Sequence, residues 1–64
     1  MNAIRQLREE KGMSQRDLAT EVGVSQPTVC DWENSKIVPE LPKAVRLADL
    51  FNVSLDVIYG RQGA

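Results

Sequence analysis

Two stretches with helical apolar spacing meet in the middle of this chain with almost no room between them. Gly23 ends one and Ser25 opens the next, so only Val24 stands between a helix stop and a helix start. A connection that short cannot turn gradually; the second helix must leave at a steep angle and lie across the first. The neighbouring residues suit such a crossing. Ala19 has a single methyl and lets the helices approach closely, and Gly23 can take the positive φ of a tight turn. Val24, Val29 and Trp32 then carry the second helix onto a core, with an edge of Trp32 expected at the surface. An arbitrary helical hairpin needs apolar spacing, but it needs no small residue, glycine and serine cap at these offsets.

The spacing therefore predicts a helix-turn-helix over about residues 14–34 of one domain spanning 1–64. Ser14 caps the first of its helices, with Asp17 placed three residues on to complete a capping box and to meet the positive helix end. Ser25 caps the second, and Pro27 is tolerated in a first turn whose N–H groups have no intrahelical use. Outside the motif, Asn2 can cap a helix running to about Lys11 and ending at Gly12. Asn34-Ser35 closes the recognition segment; Pro39 and Pro42 bracket the start of a fourth helix that ends near Phe51, and Ser54 caps a fifth that stops at Gly60. No period-two alternation is long enough for a strand, so the fold class is all-α, a compact five-helix domain.

Size and composition remove most alternatives. At 64 residues only about 60% of the extended-chain surface can be buried, so the apolar residues serve one small core and a large substrate cavity has no room. Histidine is absent and Cys30 is the single cysteine. Imidazole acid-base chemistry, Cys/His nucleophile pairs and a tetrahedral Cys/His zinc site are thereby excluded within the chain. Neither a catalytic site, a metal, a cofactor nor a small-molecule ligand is expected. The longest stretch without a charged residue, Val22 to Cys30, has nine residues, whereas a membrane span needs about 20 apolar ones. With no paired cysteines and no apolar signal segment, the expected location is the cytoplasm. The net charge of −1 is opposite to the basic balance that favours nucleic acid.

The chain nevertheless resembles the lambdoid phage repressor and Cro helix-turn-helix family over almost its whole length. Leu7 to Gln15 is similar to that family's first helix and the approach to its second, Trp32 to Lys36 to its exit from the recognition helix, and Leu47 to Asp56 to its fourth and fifth helices. The resemblance implies a lambda repressor-like domain that places its third helix on an operator in double-stranded DNA, as a transcriptional regulator of the repressor kind. It also implies an ion pair between Arg8 and Glu33 joining helix one to the end of helix three. Two-fold homodimers of such domains read near-palindromes with recognition helices one turn of DNA apart. The competing reading is a protein-interaction or antitoxin-like module of the same fold, with DNA binding weakened by the acidic balance.

Within the motif, Gln26 is the expected base reader, since a glutamine side chain can pair with adenine N6 and N7. Thr28 offers a phosphate hydroxyl; Gln15, at the start of helix two, has no capping task of its own, and the resemblance implies a phosphate contact for it. Arg16, Ser25, Pro27, Asn34 and Lys36 complete the expected DNA surface, with Lys43 and Lys11 as further cations. Asp31 is either a reader accepting from cytosine N4 or a brake repelling phosphates; its short reach favours the brake. Val57 and Tyr59 flank inward-facing Leu55 and Ile58 and are the expected dimer interface.

Overall fold

The computed structural model describes residues 3–60, and among them only helices and their connections occur. The helices are α1 (Ile4–Glu10), α2 (Gln15–Val22), α3 (Gln26–Glu33), α4 (Leu41–Phe51) and α5 (Leu55–Tyr59). They follow the expected caps closely. Ser14, Ser25 and Ser54 each accept the backbone N–H three residues on, of Asp17, Thr28 and Val57, and Gly23 and Gly60 end α2 and α5 in the left-handed conformation. Asn52 does the same for α4 at φ 56°, a role in which Asn is second only to Gly. Ala3 occupies the cap position of α1 and makes no side-chain bond there; the expected cap Asn2 lies outside the described residues.

α2 packs mainly on α3 and α4 on α5, while α1 reaches α3 and α2 reaches α4. Ile4, Leu18, Val29, Leu47 and Ile58 are fully buried at the centre, with Val22 and Trp32 at 2% exposure. Each of the large side chains stabilises the fold by about 1.5–3 kcal/mol. Trp32 departs from expectation: at 2% exposure almost none of the indole reaches solvent. No described helix is long and apolar enough to cross a membrane.

The turn between α2 and α3 is closed twice on one carbonyl. The N–H groups of Gly23 and Val24 both donate to the Ala19 carbonyl oxygen at 2.9 Å. Gly23 sits at φ 77°, where a Cβ would be strained by the backbone itself. This closure swings α3 across α2 and leaves its first turn at the surface. From α4, Lys43 Nζ donates to the Val22 carbonyl (3.3 Å) and Arg46 Nη2 to the Glu21 carbonyl (2.8 Å). Two cations thus sit on the negative end of α2.

Candidate nucleic-acid interface

The crossing brings the start of α3 beside the start of α2, 11 residues earlier in the chain. Gln26, Pro27, Ser25 and Arg16 are exposed there, and Gln15 is half-buried between them and the body of the domain. Ser14 Oγ accepts the Asp17 N–H at 3.0 Å while Asp17 Oδ2 accepts the Ser14 N–H at 3.0 Å. The backbone bond to Ser14, then its hydroxyl, holds the Asp17 carboxyl below the usual carboxylate range. With the box closed on these two amides, the N–H groups of Gln15 and Arg16 at the first turn have no carbonyl partner within the helix.

A continuous set of side-chain bonds runs from the interior to this surface. Arg8 Nε donates to Glu33 Oε2 at 2.6 Å and Nη2 to Oε1 at 3.3 Å, while Nη1 donates to the Met13 carbonyl at 2.8 Å. The two side chains are 11% and 4% exposed, so the ion pair joining α1 to the end of α3 is a buried one. The bonded Glu33 carboxylate raises the Arg8 guanidinium above its ordinary value, against a desolvation effect that acts to lower it.

Glu33 Oε1 also accepts from Gln15 Nε2 at 3.0 Å, and Gln15 Oε1 accepts from Gln26 Nε2 at 2.7 Å. The direction of this relay is dictated at its buried end. A carboxylate only accepts, so the Gln15 nitrogen must face Glu33; its oxygen then faces Gln26, whose nitrogen must be the donor. Exposed Gln26 is left with its own Oε1 and one N–H outside this relay, an acceptor-donor pair of the kind that matches adenine N6 and N7.

Gln15 therefore has an internal task that its lack of a capping role concealed. Its second Nε2 hydrogen is not used by either of these bonds. No spacing rule links residues 15 and 33, because only the crossing angle of α2 and α3 brings them together. The ion pair at the other end was expected from the family resemblance at Arg8 and Glu33, not from their spacing.

The other expected contacts sort by their own partners. The Ser25 and Thr28 hydroxyls lie 2.8 Å apart, and Ser25 Oγ accepts the Thr28 N–H at 3.3 Å, so both serve the start of α3. Asn34 Nδ2 donates to Cys30 Sγ at 3.3 Å near the end of α3, with the Asn34 residue itself exposed. Lys36 and Lys11 are exposed cations, and Lys43 is turned to the end of α2 instead. Asp31 is half-buried on α3, one turn after Gln26 and Pro27.

Val57 and Tyr59 are half-buried within the single chain. Tyr59 packs on the core and its hydroxyl donates to the Pro39 carbonyl at 3.0 Å, which ties α5 to the segment before α4. The most exposed large apolar residues lie elsewhere, at Ile37 (46%), Val38 (69%), Leu41 (60%) and Val45 (42%).

Residues 4–58 match the model of the family described as helix-turn-helix. The chain is similar to two proteins of Archaeoglobus fulgidus, each named an uncharacterized HTH-type transcriptional regulator. The first is 36% identical over 56 residues, covering 88% of this chain and 80% of the relative. The second is 34% identical over 56 residues, covering 88% and 79%. With α2 and α3 crossed at a three-residue turn and the match running through all five helices, the chain belongs to the Cro/C1-type helix-turn-helix family of DNA-binding transcriptional regulators.

Proposed function

We propose that the domain is a repressor that binds a specific near-palindromic operator in double-stranded DNA, with α3 in the major groove and two copies on one site. The observation that carries this reading is the relay from Arg8 through Glu33 and Gln15 to Gln26. An exposed glutamine ordinarily samples many rotamers; this one is held by a bond that leads back to a buried charge. Fixing a side chain before it meets its partner removes an ordering cost of about 0.5–1.5 kcal/mol from recognition. Gln26 reads a base edge, while Arg16, Lys36 and Lys11, with the free amides at the start of α2, set the register on phosphates.

The same accounting sets the salt dependence. Three outward cations per domain make about six neutralised phosphates per dimer, and hence a slope of log affinity against log salt near about −5 for B-form DNA. The test is a gel-shift selection from random genomic fragments, followed by titration of an enriched duplex across salt concentrations. A complex on enriched fragments with a slope of this size supports the reading. Failure to enrich any fragment, or affinity indifferent to salt, overturns it in favour of a protein-interaction role.

A further inference from the structure

The two ends of α3 are joined through a side chain of α2. Gln26 opens α3 and Glu33 closes it, and Gln15 bonds to both. Every group behind Gln15 has a fixed polarity. Arg8 carries N–H donors only, and its Nε and Nη2 occupy the two oxygens of Glu33 at 2.6 and 3.3 Å. A carboxylate held in this way can only accept. Turning the Gln15 amide over would set its oxygen 3.0 Å from Glu33 Oε1 with no hydrogen between them. The Glu33 side chain is 4% exposed, so little solvent would screen that repulsion.

We propose that Glu33, from a buried position, is a specificity-determining residue of the DNA-binding face. Its negative charge, passed through Gln15, decides which atoms of the Gln26 amide are left for the groove. With the carboxylate in place, Gln26 keeps Oε1 and one N–H outside the relay, an acceptor and a donor that fit adenine N6 and N7.

A neutral amide at this position inverts the relay. In Glu33→Gln, the short bond from Arg8 Nε requires an oxygen where Oε2 stands, so the new nitrogen takes the place of Oε1 and faces Gln15. Gln15 then turns its oxygen inward and its nitrogen toward Gln26, whose Oε1 becomes an acceptor within the relay. Both Gln26 N–H groups are released, and two donors fit the two acceptors of guanine, O6 and N7. One buried charge thus selects between adenine and guanine at a single base pair. That selection rests on the operator reading above, whereas the polarity of the relay is read without DNA.

In the free chain, NMR correlations across hydrogen bonds, from side-chain amide nitrogens to carbonyl carbons, name the donor. We expect Gln26 Nε2 to Gln15 Cδ in the parent and Gln15 Nε2 to Gln26 Cδ in Glu33→Gln. On the enriched operator at fixed salt, the parent should prefer A·T to G·C about tenfold at one position of each half-site. Glu33→Gln reverses that preference and leaves the other positions as they were. Gln15→Met keeps the Arg8–Glu33 pair and decides the matter if Glu33→Gln is unfolded by circular dichroism. It removes the middle of the relay, so Gln26 turns either way and the preference falls to within about threefold. The same Gln26 donor in parent and Glu33→Gln overturns the proposal, as does uniform weakening of binding with base preference unaltered in a folded variant. Enrichment with unaltered preference defeats this inference alone; no enrichment by the parent defeats the operator reading, and base selection with it, even where the NMR shows the relay inverted.

Discussion

Replacing Arg8 by methionine keeps the length and apolar stem of the side chain but removes three bonds at once: two to Glu33 and one to the Met13 carbonyl. The Glu33 side chain is 4% exposed, so water cannot replace the lost donors, and Gln15 Nε2 is left as its remaining one. Breaking a buried pair by removing one partner costs about 3–5 kcal/mol, because a charge stays behind in a low dielectric. A 64-residue domain has only about 3–10 kcal/mol in total. We therefore expect Arg8→Met to lower the melting temperature by roughly 15 °C or more, or to leave the chain largely unfolded.

Thermal and urea unfolding followed by far-UV circular dichroism measure this. The double variant Arg8→Met with Glu33→Leu removes both charges, and it recovers most of the loss if the stranded carboxylate is its cause. That double variant still lacks the anchor for Gln15, so operator affinity remains low while stability returns. The raised Arg8 value adds no acid sensitivity: a cation whose folded value exceeds its unfolded one stabilises at every pH below the unfolded value, and loses that contribution only in strong alkali. An Arg8→Met chain melting within about 5 °C of the parent would falsify the argument, since that small change belongs to an exposed pair.

Gly23→Ala places a Cβ no closer than 3.8 Å to its nearest neighbour, Lys43 Nζ, so its expected cost of about 1–2 kcal/mol comes from the positive φ alone; an unchanged urea midpoint counts against this. Asp17 has a lowered folded pKa, so its stabilisation is present above the ordinary aspartate value and fades as pH falls below about 4. The parent should therefore lose stability relative to Asp17→Asn in that window, and parallel pH curves would contradict it. Asp31→Ala should tighten binding to all duplexes alike and leave base preference unaltered, as removal of a repulsive charge requires. A selective loss of about 1–3 kcal/mol confined to one base pair makes Asp31 a reader instead.

The local grammar of the chain was open to reading because it depends on residues a few positions apart. Serine caps, the Ser14–Asp17 box, Gly23 and the helical apolar spacing act within one or two turns, where geometry is common to all helices. Together they determined the five elements and the crossing of α2 over α3, and hence where a reading helix would lie. What lay beyond them was set by distances the chain does not encode in spacing. Gln15 meets Glu33 and Gln26 only because α3 crosses α2 at the angle the Ala19 closure imposes. Val57 and Tyr59 look like spare apolar residues on a five-residue helix, until Tyr59 is seen to bond across to the Pro39 carbonyl and the open apolar surface to lie at Ile37, Val38, Leu41 and Val45. A periodic pattern says that a face is apolar; which element covers it depends on how the helices are stacked, and only tertiary packing decides that.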